Sequence, residues 1–213
     1  MKRDLEKVLA FLNLHHQSFF AAEPYAKATK QPTPTDTRAW SQILASLLTG
    51  VEGYGRKKGP DLIDGSDVKG ANTWGAIDTP RFNGVIKAGT KSEYSGNLSY
   101  LDTMPKLIFV LWDNEPKFQR ERCRVWLVRP PKDPLFRKVC AIWYKKRDEG
   151  IITSNNFQLH PPRGKNSNEF RNTCGNLYYP LFLEAIWNKS KLSYDIVNFK
   201  KSVMTIGLCL EAI

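Results

Sequence analysis

The sequence predicts an α/β (α+β) fold, with a central mixed β-sheet flanked by helices. Two amphipathic stretches near the amino end are typical of helices. They are followed by Leu107–Trp112, a wholly apolar run that is typical of a strand buried on both faces. The composition is that of a globular protein, with 41% hydrophobic and 25% charged residues. A chain of 213 residues can bury a real core, so we expect one domain spanning 1–213.

The helices are predicted from apolar spacing. Leu5, Val8, Leu9 and Leu12 recur at helical intervals, which predicts a helix from about Asp4 to Ala22. A second helix is expected from Asp36, a plausible N-cap, to Leu48. Its expected buried face consists of Ala39, Trp40, Ile43, Leu44, Leu47, Leu48 and Val51.

Further elements are predicted after the apolar run. Cys123–Arg129 and Val139–Lys145 have the character of strands. Pro180 precedes Leu181–Trp187 as if it stood at the first position of a helix. The final stretch, Val203–Ile213, is apolar and predicts a core strand or part of a subunit contact.

The charge of the chain indicates a polyanionic partner. The formal net charge is +11, and residues 117–149 hold eleven Lys and Arg against four Asp and Glu. Lys and Arg that neutralise phosphates release counterions from nucleic acid, so this excess favours binding to DNA or RNA. The strands expected in residues 117–149 would form a basic wall against the nucleic-acid backbone.

Other classes are disfavoured. The four cysteines form no CxxC pair, and the three histidines are not at ligand spacing from them, so a zinc centre is not expected. Neither a Gly-x-Ser-x-Gly elbow nor a phosphate-binding P-loop is present. We expect reduced thiols, a cytoplasmic protein and no membrane association, because neither a signal peptide nor a membrane-spanning run is visible.

The stretch Gly59–Lys69 predicts a tight β-hairpin around Asp64-Gly65. A three-residue loop would place Ile63 opposite Asp67 and would project Asp61, Asp67 and Lys69 from one face. A two-residue loop would instead set Asp64 opposite Asp67 and turn Asp61 away. The carboxylate pair is therefore Asp61 with Asp67 or, in the other register, Asp64 with Asp67.

Two carboxylates beside an ammonium group suit Mg²⁺-assisted hydrolysis of a phosphodiester. Glu52, just past the second helix, could be a further metal or water-orienting group or a solvated helix-end residue. Taken alone, the stretch could equally be a polar surface hairpin with solvated charges.

Two polar clusters are candidates for DNA contacts. Arg56, Lys57 and Lys58 precede the acidic stretch and could hold a phosphate near the metal. The second cluster follows His160, and its Arg and Asn side chains could read base edges in the major groove. Its candidate residues are Arg163, Lys165, Asn166, Asn168, Arg171 and Asn172. We expect recognition elements within 150–180 and a catalytic core over about 36–145; solvated loops are the alternative.

Pro60-Asp61 followed by Asp67-Val68-Lys69 resembles the PD-(D/E)XK motif of the nuclease superfamily of that name, and the chain looks like a type II restriction endonuclease. The match covers the eleven residues Gly59–Lys69, and the order of helix, motif and apolar strand also agrees. The resemblance implies a restriction-endonuclease-like core. It further implies Mg²⁺ held by the Asp61 and Asp67 carboxylates and by the Val68 carbonyl, with Lys69 acting on the attacking water. Glu52 would match the acidic residue that some members supply from the preceding helix.

The expected function is Mg²⁺-dependent cleavage of double-stranded DNA at a specific sequence by a homodimer, whose twofold symmetry would match a palindromic site. One alternative is a structure-specific or nicking nuclease, such as a repair enzyme or a junction resolvase. Another is a basic nucleic-acid-binding protein without catalysis, in which Asp61, Asp67 and Lys69 are incidental.

Overall fold

The computed structural model describes residues 3–31, 33, 36–55, 59–76, 78–86, 98–163 and 168–206. In chain order the elements are α1 (Leu5–Thr29), α2 (Arg38–Thr49), β1 (Asp67–Asn72), a 3₁₀ helix (Ser99–Thr103), β2 (Leu107–Glu115), β3 (Arg120–Val128), α3 (Pro134–Asp148), β4 (Glu169–Phe170), β5 (Leu177–Tyr178), β6 (Leu181–Asn188), β7 (Ser193–Phe199) and α4 (Val203–Ile206).

The main sheet has five strands in the order β1-β2-β3-β6-β7, and β4 pairs with β5 in a small second sheet. β1 and β2 are parallel, whereas the other neighbours in the main sheet are antiparallel. The predicted fold class, a mixed sheet flanked by helices, is therefore confirmed. Because β1 is an edge strand, the main-chain groups on its outer side are available to the loop that precedes it.

The apolar run Leu107–Trp112 lies in β2 between β1 and β3, as its composition predicts, and all of its side chains are buried. Alternate residues enter different cores because side chains alternate across a strand. Val110 and Trp112 pack in the core that contains residues of α1 and α2. Phe109 and Leu111 pack in the core that contains residues of α3.

Helix α2 lies unusually close to β1 at Gly70. A Cβ on Gly70 would overlap the Ser41 side chain and would come within 2.8 Å of Thr37 Oγ1. Ser41 Oγ accepts a hydrogen bond of 3.3 Å from Trp112 Nε1, which links the helix to the neighbouring strand as well. The missing side chain at residue 70 therefore lets α2 approach the sheet edge, where the functional residues lie.

Helix α1 starts as predicted but continues to Thr29, beyond the expected end at Ala22. Asp4 caps it by accepting hydrogen bonds from the amides of Glu6 and Lys7. In its interior His15 stacks on Trp112, with ring centroids 3.8 Å apart. Burial, followed by the charge of adjacent His16, lowers the pKa of His15 to about 4. This ring is thus a neutral part of the core at physiological pH.

The strand predicted at Val139–Lys145 is wrong, because these residues belong to helix α3. Asp133 caps that helix through a 2.9 Å hydrogen bond from the Phe136 amide, and Pro134 occupies its first turn. The buried side chains repeat at intervals of three and four, which is the helical period: Phe136, Val139, Cys140, Trp143 and Tyr144.

The helix predicted at Leu181–Trp187 is also wrong, because this segment forms β6. Leu183, Ala185 and Trp187 alternate with less buried residues, as expected for a strand. Hydrogen-bonded ladders to β3 and β7 flank it on both sides, and this pairing outweighs the helical signal of Pro180.

The carboxyl end also differs from the prediction. The first four residues of the expected strand Val203–Ile213 form α4, and residues 207–213 lie outside the described part of the chain. Of the four cysteines, Cys123, Cys140 and Cys174 are buried free thiols. Within the ranges that the structure describes, no helix has the length and apolar character needed to cross a membrane.

Candidate active site

The hairpin predicted for Gly59–Lys69 does not form. Strand β1 begins at Asp67 and pairs with β2, starting with a 3.0 Å bond from the Asp67 amide to the Lys106 carbonyl. The preceding residues make a turn in which the amides of Asp61 and Leu62 both donate to the Ser66 carbonyl, at 3.1 and 3.0 Å. The predicted pairing of Ile63 with Asp67 is therefore wrong.

The reason for this difference is burial. Leu62 is completely buried and forms a bridge to Gly53, so the segment before the turn pairs with the chain that follows α2. Ser66 is also completely buried. These two residues hold the turn against the body of the protein, and β1 is free to complete the parallel ladder with β2.

Asp61 and Asp67 are nevertheless brought together. Their carboxyl groups are hydrogen-bonded to each other. The Val68 amide donates to both, at 2.8 Å to Asp61 Oδ2 and 3.1 Å to Asp67 Oδ1. A turn residue and the first residue of a strand thus present their carboxyl oxygens around one main-chain N–H group.

Lys69 completes the cluster. It lies two residues after Asp67 on β1, so both side chains project from the same face of the strand. Lys69 Nζ lies 2.7 Å from Asp67 Oδ2, and the two side chains are 20% and 18% exposed. The partial exposure leaves both groups within reach of a solvent-borne substrate.

Gln42 is a fourth member that the sequence analysis missed. It lies on α2, and its Nε2 donates a 2.5 Å hydrogen bond to Asp61 Oδ1. In the sequence, Gln42 is only a polar residue beside the apolar positions of a predicted amphipathic helix. Such residues are too common for this one to be singled out. The close approach of α2 to β1 at Gly70 brings this amide to the carboxylate.

The two carboxyl groups titrate very differently. Burial, then the hydrogen bond and the negative charge of Asp67, raise the pKa of Asp61 to about 7, although the Val68 amide and Lys69 oppose the shift. Burial also opposes ionisation of Asp67, but the hydrogen bond from Asp61 and the charge of Lys69 outweigh it and lower the pKa of Asp67. Below about pH 7 the pair therefore shares one proton when no cation is present.

Asp64, the alternative to Asp61, lies in a different arrangement. Its Oδ2 is 2.6 Å from Lys106 Nζ, and its Oδ1 accepts a 2.9 Å bond from the Ser66 amide. Burial of Asp64 is outweighed by these hydrogen bonds and the Lys106 charge, so its pKa is lowered. Neither hairpin register forms, but of the two carboxylate pairs left open by the sequence, the structure brings together Asp61 and Asp67.

The Val68 carbonyl faces the same side as the carboxylates. In a parallel ladder, alternate residues turn their main-chain groups toward the neighbouring strand. Since the Asp67 amide bonds to β2, the N–H and C=O groups of Val68 point to the open edge, where Asp61 accepts from that N–H group. The carbonyl is thus placed on the edge that carries Asp61.

These donors fit a hard divalent cation. Among the residues that the structure describes, no group of three or more His, Cys, Asp or Glu side chains is suited to hold a metal. Mg²⁺, however, is bound through one or two carboxylates together with waters and phosphate oxygens. Two carboxyl groups close enough to share a proton would release it to a cation that neutralises both, so Asp61 and Asp67 match that preference.

Glu52 lies near the turn through its main chain. Its carbonyl accepts a 2.9 Å hydrogen bond from the Ile63 amide, and the residue is exposed. The structure thus brings Glu52 close to the Asp61 turn. Its role as a metal ligand stays a prediction.

The predicted DNA-contacting residues divide into three groups. The first group lies outside the residues that the structure describes and consists of Arg56, Lys57, Lys58, Lys165 and Asn166.

Asn168 and Asn172 form the second group and stabilise the fold. Asn168 Oδ1 accepts a 3.2 Å bond from Trp126 Nε1. Asn172 Nδ2 donates to the Gln158 carbonyl at 2.7 Å, and Asn172 Oδ1 accepts from the Cys174 amide at 2.8 Å. Base reading by either side chain would require these bonds to break.

Arg163 and Arg171 form the third group, and both are exposed. The main chain of Arg171 pairs with that of His160, and Phe82 pairs with Leu159 in the same way, which brings Arg81 to this surface. Burial, followed by the positive charge of Arg171, lowers the pKa of His160, and the charges of Arg81 and Arg163 lower it further. A hydrogen bond to the Pro80 carbonyl acts in the opposite direction. Three arginines are therefore close enough to this imidazole to disfavour its charged form. Arg81 was not predicted.

The basic wall expected on the strands of residues 117–149 is only partly present. Arg122 and Arg124 on β3 are buried, with 3% exposure each, and both bind the carboxylate of Asp113. Arg122 also reaches Glu184 Oε1 at 3.2 Å. These two guanidinium groups are neutralised inside the protein, so β3 does not offer them to a polyanion.

The sequence of this chain is similar to a family of known nucleases. Residues 24–194 match the family model described as MamI restriction endonuclease. The chain is 30% identical over 178 residues to "Type II restriction enzyme MamI" of Microbacterium ammoniaphilum; the alignment covers 78% of this chain and 56% of that protein. The chain thus spans just over half the length of that relative. No solved structure gives a significant match. The chain belongs to the MamI restriction endonuclease family.

Proposed function

We propose that this protein is a Mg²⁺-dependent type II restriction endonuclease that hydrolyses double-stranded DNA at a specific sequence. The observation that carries the proposal is the cluster of Asp61, Asp67 and Lys69 at the open edge of the sheet. Membership of a restriction endonuclease family supports the same activity. The relative it resembles is itself described as a type II restriction enzyme.

Each residue of the cluster has a role in this proposal. Asp61 and Asp67 hold the metal through their carboxylates, and the Val68 carbonyl adds a ligand from the main chain. Bound Mg²⁺ neutralises phosphate oxygens and lowers the pKa of a water molecule. Lys69, held by Asp67, orients the attacking water and stabilises the negative charge that develops on the phosphate. Gln42 fixes the orientation of Asp61.

The DNA contacts in this proposal come from the basic surface around His160. Arg163 and Arg171 are the candidates for base reading, because both are exposed and Arg binds guanine through two hydrogen bonds. Arg81 adds a further positive charge to the same surface. The stretch Arg56–Lys58, which precedes the turn in the sequence, is proposed to hold a phosphate near the metal.

The assembly in this proposal is a homodimer acting in the cytoplasm. Two copies related by a twofold axis would cut both strands of a palindromic site. A cytoplasmic setting agrees with the buried free thiols of Cys123, Cys140 and Cys174. The alternatives, a structure-specific nuclease and a binding protein without catalysis, are favoured by no separate observation.

The experiment is a cleavage assay on plasmid DNA of known sequence with Mg²⁺, followed by mapping of the fragment ends. We expect discrete fragments whose ends share one sequence, and no cleavage with EDTA. Asp67→Ala should bind DNA but not cut it, whereas Asp195→Ala, which removes an exposed carboxylate far along the sequence on β7, should cut normally. Wild-type protein that binds DNA and cuts none with Mg²⁺ or Mn²⁺ would support the non-catalytic alternative.

A further inference from the structure

A pocket of about 370 Å³ opens where β1 and β2 end. Thr73, Asp78 and Pro80 line it from the segment after β1, and Asn114 and Pro116 line it from the end of β2. The opposite wall belongs to the loop after His160 and consists of Pro161, Pro162 and Arg163. Four prolines therefore give the pocket rigid apolar sides, while charged and amide groups stand among them.

Asp113 and Arg122 give this pocket a polar lining that is already organised. Arg122 donates from Nε to Asp113 Oδ1 at 3.0 Å and from Nη2 to Oδ2 at 2.8 Å. Arg124 Nη2 donates to Asp113 Oδ2 at 2.6 Å and to the Pro162 carbonyl at 2.8 Å. The second bond ties one wall of the pocket to its lining, so the cavity keeps its shape without a ligand.

The pocket lies on the same face of the sheet as the cluster of Asp67 and Lys69. Lys69 pairs with Phe109, and the ladder continues until the Thr73 amide donates to the Trp112 carbonyl at 2.9 Å. Because side chains alternate, Lys69 and Thr73 project to one side, and Phe109 and Asp113 do the same on β2. Thr73 follows Lys69 by four positions, which is about 13 Å at roughly 3.3 Å per residue. A DNA strand covers that distance in about four nucleotides.

The chemistry of the lining selects among the parts of a DNA strand. The charge of the Asp113 carboxylate is offset by Arg122 and Arg124, so it neither draws a phosphate into the pocket nor repels one. The same carboxylate accepts hydrogen bonds, and a carboxylate offers about four lone-pair sites, one more than Arg122 and Arg124 use here. Exocyclic amino groups of cytosine, adenine and guanine can donate to such an oxygen, and flat apolar walls suit a planar ring.

We infer that this pocket receives one nucleobase of the DNA substrate, unstacked from the duplex and bearing an exocyclic amino group that faces Asp113. This inference rests on the proposed function and deepens it, since it names a specificity element of the same enzyme. A base that stays in the stack has both faces covered by its neighbours and cannot lie between the two walls of this pocket, so the base must leave the stack. Arg163 stands at the pocket and binds the substrate beside that base.

The test uses 2-aminopurine, whose fluorescence rises when the base leaves the stack. Once the cleaved sequence has been mapped, the probe replaces each position of the site in turn. The duplexes are bound with Ca²⁺, an oxygen-seeking cation, in place of Mg²⁺. We expect a severalfold rise at one position, about four nucleotides from the cut, and little change at the others.

Matched variants identify the pocket as the receptor. Ala76→Trp fills it from an exposed lining position, and Thr79→Trp places the same ring three residues away, outside the lining. Ala76→Trp should abolish the fluorescence rise and lower the cleavage rate by ~10²-fold, as expected for a misplaced substrate. Thr79→Trp should do neither. DNA that lacks the base inferred to enter the pocket has nothing for the indole ring introduced by Ala76→Trp to block. On this abasic DNA, Ala76→Trp and the wild-type protein should therefore cleave at the same rate.

The possible failures are distinguishable. Cleavage without a fluorescence rise at any position, or a rise that persists in Ala76→Trp, overturns the pocket and leaves the nuclease proposal standing. Absence of cleavage on every DNA overturns both.

Discussion

The carboxyl groups of Asp61 and Asp67 are hydrogen-bonded to each other, although one residue lies in a turn and the other starts a strand. The Val68 amide donates to both. Because the pair shares a proton below about pH 7 while no cation is bound, occupancy of the site by a metal is coupled to proton release in that range. This coupling gives the site a measurable signature that is independent of catalysis.

Metal binding should therefore strengthen as the pH rises toward and above 7. The pKa of Asp61 is raised from 3.8 to about 7, so its contribution to stability is complete at low pH and is lost between these two values as the carboxyl group ionises. Mg²⁺ bound to the ionised carboxylates would restore the lost stability. We expect the rise in melting temperature on adding Mg²⁺ to be larger at about pH 8 than at about pH 5.

The Asp61→Asn variant is the control for this pH dependence, because its amide does not titrate. It should show little metal-induced shift at either pH. An equal shift at both pH values in the wild-type protein would contradict the shared proton.

Lys69→Ala should retain DNA binding and lose cleavage. The ammonium group acts on the attacking water and on charge that develops in the transition state, so its loss should lower kcat by ~10²–10⁴-fold. Single-turnover cleavage and a binding titration with Ca²⁺ would separate the two effects. Lys191→Ala, which removes a lysine from an exposed ion pair with Asp195, should leave both unchanged. Equal losses of binding and cleavage in Lys69→Ala would assign this lysine to substrate binding instead.

Gln42→Ala should weaken metal affinity or activity by ~10–100-fold, as is typical when a residue that orients a metal ligand is removed. The 2.5 Å hydrogen bond from Gln42 to Asp61 is the physical reason. The effect should shrink at saturating Mg²⁺ if Gln42 acts by positioning Asp61. Ile43→Ala changes the next residue on α2, which is 47% exposed, and should have no comparable effect. Unchanged Mg²⁺ dependence in Gln42→Ala would remove this residue from the site.

Asp113→Ala should lower the free energy of unfolding by ~3–5 kcal/mol, because it leaves two buried guanidinium groups without their carboxylate. Arg122 and Arg124 are each 3% exposed and both bind Asp113. Asp195→Ala breaks an exposed ion pair with Lys191 and should cost only ~0–1 kcal/mol. Urea unfolding at neutral pH measures both. Similar costs in the two variants would mean that water reaches the Asp113 network.

Arg171→Ala should reduce discrimination between DNA sequences by ~1–3 kcal/mol if this exposed side chain reads a base edge. Competition binding against single-base variants of the mapped site, at several salt concentrations, measures the effect. A uniform loss for all sequences, with a smaller salt dependence, would identify a phosphate contact instead.

The amino-acid pattern alone predicts the class of fold, the central position of Leu107–Trp112 and the chemical character of the site. These features depend on composition and on local pattern: an apolar run is buried wherever it lies, and the spacing of Asp67 and Lys69 places them on one face of any strand. The motif Pro60-Asp61 with Asp67-Val68-Lys69 also indicated the restriction-endonuclease relationship, which the family match confirms.

Long-range contacts set the remaining features, namely the nature of some elements and the side chains that meet at the site. Leu181–Trp187 became a strand because the ladders to β3 and β7 outweighed its local preference. The helix at Val139–Lys145, by contrast, follows from the local cap at Asp133. Asp61 reached Asp67 through a turn held by buried Leu62, not through a hairpin. Gln42 joined the site because Gly70 lets α2 approach the sheet. The Gln42 contact and the ladders of β6 join residues far apart in the chain, and their free energy depends on packing that no local pattern encodes.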